Sequence, residues 1–178
     1  CGYINSNTVR AGYNEAKRVS ESLCRSFDQQ YGTESCVVRL ARVFGADKTK
    51  KDTKAMAQFI NNAVKGEDII LKSRGLQKFS YVYIADAVSG IVKVLLDGAT
   101  GEAYNISADY DGMALGQYAE FLAHIAHSRV IYKIDDDPNA SQVNNALLDN
   151  SKIKRLGYVP MYSVCEGLKR TYDILNGK

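Results

Sequence analysis

The sequence predicts an α/β fold, and three observations carry that prediction. A long stretch of helical periodicity over residues 11–31 runs straight into a short β-branched apolar run, Ser35–Leu40. Further helix-period stretches then alternate with short apolar runs, the cadence of strands covered by helices. Glycines stand at the ends of the periodic stretches, where helices stop.

Taken in order, Asn5–Arg10 reads as a loop. Over residues 11–31, Ala16, Val19, Leu23, Phe27 and Tyr31 fall at three- and four-residue steps and form one apolar stripe, closed by Gly32. Ser35–Leu40 is short and dense in apolar groups, as a strand buried on both faces is. Residues 46–54 are a polar loop, and Thr53 is placed to cap a helix over 54–65 whose Met56, Phe59, Ile60 and Ala63 share one face. Gly66 stops it. Ile69–Leu71 is a short strand and Ser73–Leu76 a turn. Ser80–Ile84 is a strand by composition, with Tyr81 and Tyr83 on one face. Asp86 starts the next helix, striped by Ala87, Val88, Ile91, Val94 and Leu95.

After a turn at Gly98 and Gly101, Ala103–Ile106 is a strand. A helix over 114–126 faces Leu115, Tyr118, Phe121, Leu122 and Ile125 inward, and 129–134 is a strand. Residues 135–145 are polar, contain Pro138 and read as a loop. Asp149 or Ser151 caps a short helix ended by Gly157. Ser163 caps the last one, with Glu166 three residues on completing a capping box.

The totals exclude several functions. A chain of 178 residues, 46% apolar and 24% charged, is an ordinary folded domain, or one with a small appendage. A net charge of +3 is too small for a nucleic-acid binder, and the one basic stretch, residues 48–51 with Lys54, is broken by Asp52 and has no aromatic partner. The four cysteines form no C-x-x-C pair, so they read as reduced thiols of a cytoplasmic protein. No apolar run approaches the roughly 20 residues of a membrane span. His124 and His127 are one turn apart, but no third ligand has matching spacing. The Asp135–Asp137 run lacks the spaced ligands of a calcium loop. The chain begins with Cys, not Met, so the sequence reads as part of something longer.

Chemistry concentrates at Tyr13-Asn-Glu-Ala-Lys17. A four-residue step puts both side chains on one helix face. A phenol is by itself too weak an acid to act as a base at neutral pH, but a nearby ammonium favours its ionised form. Such a pair can move a proton to or from a sugar hydroxyl while a nicotinamide exchanges hydride. With 12 tyrosines in the chain this spacing arises by chance, so context decides.

That context is a resemblance. GYINSNTVRAGYNEAKRVSESLC resembles the active-site helix of the extended short-chain dehydrogenases, the NAD-dependent nucleotide-sugar 4-epimerases, 4,6-dehydratases and UDP-glucuronate decarboxylases. SCVVRLARVFGA (35–46) is similar to their Arg-Pro-x-Asn-x-Tyr-Gly-Pro strand, QFINNAVKGEDIIL (58–71) to the lead into the nucleotide site, and QKFSYVYIAD (77–86) to Gln-x-Arg-x-Phe-x-Tyr-Val-x-Asp. GEAYNI, LDNSKIKRLGYVP and EGLKRT follow in family order.

The resemblance implies the C-terminal part of a Rossmann-like enzyme. Residues 1–45 would carry the active-site helix and the last part of the sheet. Residues 46–178 would mainly form a small α/β subdomain for the nucleotide sugar, with some elements returning to the sheet. It implies Tyr13 and Lys17 as catalytic and NAD-binding residues, Leu40 and Arg42 as a nicotinamide-side wall, and Arg42, Gln58, Lys72, Gln77 and Phe79 as substrate-binding residues. Partners so implied are a nucleotide-diphosphate sugar, the missing N-terminal Rossmann half and a second copy in a homodimer, with neither nucleic acid nor membrane. The activity so implied is transient oxidation at sugar C4. The N-terminal glycine-rich cofactor turn does not stand in this sequence, so the isolated chain is expected to be inactive and to bind NAD weakly.

Three positions depart from the pattern. Leu40 replaces a proline, Arg42 an asparagine, and Phe79 the arginine that grips the diphosphate, leaving Arg42, Lys72, Arg74 or Lys78 to supply that charge. The alternatives to an enzyme part are a non-catalytic binding domain that kept the fold and a regulator that reads a redox ratio through bound dinucleotide.

Overall fold

The computed structural model describes residues 7, 11–47, 49, 52–134 and 145–177. The loops read at 5–10 and 135–145 and the basic stretch 48–51 lie largely outside these residues. In chain order the elements are α1 (Ala11–Tyr31), β1 (Val37–Leu40), β2 (Arg42–Phe44), α2 (Ala55–Lys65), β3 (Ile69–Leu71), β4 (Tyr81–Tyr83), α3 (Ile84–Asp97), β5 (Ala103–Ile106), α4 (Leu115–Ile125), β6 (Val130–Tyr132), α5 (Ser151–Lys154) and α6 (Val164–Leu175). The strands pair only in parallel among the described residues, β1 with β5, β2 with β4 and β3 with β6. Parallel pairing needs long crossovers, and the helices supply them. The α/β class expected from the sequence is the one observed.

The run read as one strand at 35–40 extends further and changes partner. Ala41 donates its N–H to Ile106 on one side, and Arg42 donates to Ser80 on the other. A single extended segment, 37–44, thus leaves β5 and joins β4 within one residue. Arg42 stands at the fork.

Two cores result. Phe44, Met56, Phe59, Ile60, Ile69, Leu71, Tyr81, Tyr83, Tyr118, Leu122 and Leu168 form one, under α2, α4 and α6. Val82, Ala87, Val94, Tyr104, Ile106, Ile153 and Tyr158 form the other, around α3 and α5. Successive strand residues point to opposite faces, so β4 serves both: Tyr81 and Tyr83 to the first core, Val82 to the second. The shared face expected for the two tyrosines is therefore observed.

Several ends are as read. Gly66 caps α2 in the left-handed region at φ 70°. Ser163 Oγ accepts the N–H of Glu166, whose carboxylate accepts the N–H of Ser163, so the capping box is complete. Others differ. Lys54, not Thr53, is the N-cap of α2, and its N–H is held by the Asp52 carboxylate. Asn150 is the N-cap of α5, with Asp149 accepting the N–H of Ser151.

Helix α3 corrects the sequence reading most. It begins at Ile84, and Asp86 is no cap: fully buried, it accepts the N–H groups of Met161 and Tyr162 at 2.9 and 3.0 Å. Its inward face is Asp86, Ala87, Gly90 and Val94, while Val88, Ile91 and Leu95 of the expected stripe are exposed. The reason is closeness. A Cβ at Gly90 would lie 2.7 Å from Ile106, so only small residues let this helix approach β5.

Helix α1 shows the expected stripe uncovered. Ala11 is its only buried residue, and Val19, Leu23, Phe27 and Tyr31 are all more than half exposed. What ties α1 to the strands is polar. Arg39 donates through Nε and Nη2 to both carboxylate oxygens of Glu21, a bidentate pair of the stronger kind. No helix among the described residues is long and apolar enough to cross a membrane.

Candidate active site

Beside the fork lies a cleft of about 320 Å³, within the range of small-molecule sites. One wall is the segment 42–47 that runs from β2. A second is the amino end of α2, Lys54 to Ala57 with Ile60 and Asn61. Phe79 and Tyr81 from the β4 segment, Ile84, Leu115 and Leu175 close it. The lining is mostly apolar, so its few polar groups set what it can hold.

The charges divide sharply. Asp52 faces the Lys54 ammonium at 3.8 Å and holds the Lys54 N–H. Asp47 accepts both the N–H and the hydroxyl of Thr49. Arg42 has neither kind of partner: its side chain makes no ion pair or hydrogen bond among the described residues. Its guanidinium carbon instead lies 3.7 Å from the centre of the Phe79 ring. An approach that close is possible only over the ring face, where the quadrupole attracts a cation. Behind it, burial pushes the Tyr81 phenol up to about 12, with the Arg42 charge pulling the other way.

Tyr13 and Lys17 are on one exposed face of α1, with Lys17 Nζ 5.6 Å from the centre of the Tyr13 ring and Tyr13 70% exposed. Neither lines the cleft. Two contacts nevertheless give the helix its direction. Glu21 meets Arg39 in β1, and the Asp28 carboxylate lies by Gly101, just before β5. So α1 runs antiparallel to both strands. At about 1.5 Å per helical residue, Lys17 is about 6 Å and Tyr13 about 12 Å beyond Glu21 towards the carboxyl ends. At about 3.3 Å per strand residue, those distances end level with residues 41 to 43. Along the strand direction the pair therefore stands abreast of Ala41–Val43.

The other residues singled out from the sequence fall in two groups. Arg42 and Phe79 line the cleft. Leu40 ends β1 with its side chain 43% exposed. Gln58, Lys72 and Gln77 are not among the lining: Gln58 donates to the Thr53 carbonyl, Gln77 to the Ser73 hydroxyl, and Lys72 is exposed on the segment after β3. Lys54, Asp47, Asp52, Met56, Ile60 and Asn61 line it without having been singled out as site residues. Their signal was available as a polar loop entering a capped helix, which commonly borders a ligand.

Comparison with known proteins sets this geometry in a lineage. The sequence profile described as the NAD dependent epimerase/dehydratase family matches residues 4–107. UDP-glucuronic acid decarboxylase 1 of Danio rerio is 28% identical over 175 residues, covering 96% of this chain and 40% of the relative. The dTDP-D-glucose 4,6-dehydratase of Mus musculus is 26% identical, covering 90% and 46%. Among solved structures, UDP-glucose 4-epimerase of Thermotoga maritima, determined with UDP-glucose, superposes with a TM-score of 0.81 at 28% identity, over 93% of this chain and 53% of that one. The chain thus spans about half the length of the curated relatives it matches. Profile and parallel α/β fold agree, and the chain belongs to the NAD dependent epimerase/dehydratase family.

Proposed function

We propose that this chain supplies the proton-transfer pair and the nucleotide-sugar cleft of an NAD-dependent sugar-nucleotide epimerase or dehydratase that transiently oxidises the sugar C4 hydroxyl. The observation that carries the reading is the placing of Tyr13 and Lys17 together on one exposed face, level with the carboxyl ends of β1 and β2. Ligands of parallel α/β sheets sit at those ends. The relatives named above, acting on UDP- and dTDP-sugars, support the substrate class.

In this reading the Tyr13 oxygen takes the C4 hydroxyl proton and later returns it, and the Lys17 ammonium stabilises the negative charge that develops there. Arg42 and Phe79 hold the nucleotide sugar in the cleft. The residues also fit the cofactor: Leu40 leaves an apolar surface open at the end of β1, and Lys17 offers a cation for a ribose hydroxyl. NAD, when bound, supplies the hydride acceptor. Residues 1–45 belong in this scheme with the cofactor sheet and 46–178 mainly with the substrate, β5 returning to the sheet. The uncovered stripe of α1 supports packing against the remainder of the protein and a second copy.

The test is Tyr13→Phe in the full-length protein, assayed for turnover of UDP- and dTDP-sugars and for their binding. Turnover should vanish while binding of the sugar nucleotide persists. Turnover at the wild-type rate would remove Tyr13 as the base, and the reading with it.

A further inference from the structure

Helix α1 carries the Tyr13–Lys17 pair, yet little apolar packing holds it to the strands. Ala11 is its only buried residue. A groove of about 340 Å³, lined by Glu21, Arg25, Val37, Arg39 and Ala103 among others, parts the helix from β1 and β5. One polar bridge crosses it. Arg39 donates through Nε at 2.8 Å and through Nη2 at 2.5 Å to the two carboxylate oxygens of Glu21. Among the described residues no other side chain of α1 bonds to a strand. Both ends of the bridge are well placed. Tyr13, Lys17 and Glu21 follow at four-residue steps, so Glu21 is on the side of the helix that carries the pair. Arg39 stands in register with Asn105 of β5, and its neighbour Val38 packs into the second core on the opposite face. Three residues on, the same extended segment carries Arg42 into the cleft.

We propose that Glu21 and Arg39 are positioning residues: their fork registers the Tyr13–Lys17 pair along the strands, against the cleft that Arg42 lines. The pair and the cleft stand on separate elements, and the fork joins α1 to the strand that leads into the cleft. Apolar cover over the outward stripe of α1 would hold the helix down without fixing where it stops, because hydrophobic attraction has no direction. Two parallel charge-assisted hydrogen bonds fix both a distance and a plane. Tyr13 lies about 12 Å beyond Glu21 along the helix, so a slide or tilt at the fork is carried to the phenol in full. A misplacement of about 1 Å can cost about a hundredfold in rate. The assignment rests on the reading of Tyr13 as base for its effect on turnover, not for the placing of the helix.

The experiment is steady-state kinetics on the full-length protein with UDP- and dTDP-sugars, comparing wild type with Glu21→Gln, Arg39→Gln and Arg39→Lys, with thermal melts as the control for folding. Beside it, the same proteins are labelled with fluorotyrosine, and the fluorine resonance of Tyr13, assigned by its loss in Tyr13→Phe, is followed by NMR. Glu21→Gln and Arg39→Gln should lower kcat roughly ten- to hundredfold and leave KM within about twofold, since the cleft is untouched. Arg39→Lys keeps the charge but not the fork, and should recover kcat only in part. The Tyr13 resonance should shift or broaden in the same order. A pair that served stability alone would lower the melting temperature and leave kcat and the resonance at their wild-type values, which overturns the proposal. A rise in KM at unchanged kcat, or full recovery in Arg39→Lys, overturns it as well. If Arg39→Gln does not fold, Glu21→Gln decides. If Tyr13→Phe turns over normally, or the wild type turns over neither class of sugar, the proposed function fails and the resonance decides alone: a displaced Tyr13 signal in Glu21→Gln upholds the registration of the helix, and an unmoved one ends it.

Discussion

Replacing Asp86 by asparagine keeps the shape of a buried side chain and removes its charge. The carboxylate is fully buried in the first turn of α3 and accepts two backbone N–H groups, Met161 at 2.9 Å and Tyr162 at 3.0 Å. Asparagine offers one acceptor oxygen and one donor group, so one of those N–H groups must face an NH₂. Losing that charge-assisted bond costs about 1.5–3 kcal/mol, and the partly buried donor left facing the amide costs about 1 kcal/mol more. The favourable placing of a negative charge at the amino end of α3, worth about 0.3–1 kcal/mol, is also lost. Against these, the neutral amide escapes part of the penalty of holding a carboxylate away from water.

Taking the middle of these opposing terms, the net loss is about 3 kcal/mol. For a chain of this size that lowers Tm by roughly 6–12 °C. Urea melts should show a lower midpoint at an unchanged slope. The local consequence is also measurable, because Asp86 pins the segment that carries Tyr162 against Tyr83, ring centres 5.0 Å apart. The chain has no tryptophan, so its tyrosine fluorescence should report the loosened pair well below the main transition. An Asp86→Asn protein melting within about 2 °C of the wild type would refute the reasoning. The loop would then be held by its own packing, and the carboxylate would be incidental.

Two further outcomes follow from how α1 is attached. Arg39 holds the Glu21 carboxyl below the ordinary glutamate range, chiefly through their hydrogen bonds. A depressed folded-state value means the stabilisation is complete at neutral pH and is lost as pH falls through the depressed value, below the usual 4.5. Both side chains are partly exposed, so a double-mutant cycle with Glu21→Gln and Arg39→Met should give a coupling of about 1 kcal/mol at pH 7. It should vanish in strong acid, and a coupling that persists there would show that contact, not charge, joins helix to strand. Leu23→Ser with Phe27→Ser, by contrast, should leave the melting of the isolated chain nearly unchanged, since both side chains are more than half exposed. We also expect the wild-type chain to self-associate through this stripe in sedimentation and the double variant to do so less; equal behaviour of the two would clear the stripe of that role.

The elements were legible in the sequence because their signals are local. The capping box at Ser163 and Glu166, the β-branched run before Leu40 and the helical period under α2 and α4 each depend on residues a few positions apart, and each stands where the pattern put it. The Tyr13–Lys17 face was legible for the same reason: a four-residue step on a helix leaves little choice. Burial was not local. The stripes of α1 and α3 are equally apolar on paper, yet which side of a helix is covered depends on what packs there. Gly90 against Ile106 turned α3 away from its larger residues.

The assembly of the cleft belongs to tertiary structure. Arg42 and Phe79 are far apart in sequence, and nothing in either segment says that one side chain will lie over the other. Their meeting depends on the change of partner at Ala41, where the chain leaves β5 at the end of β1 and joins β4 as β2, which carries Arg42 into register with Tyr81. Sequence by itself therefore determined where most of the helices and strands form, since propensity and spacing act within a few residues. Only the folded chain decided which charges remain unspent, because a partner is a matter of distance in space.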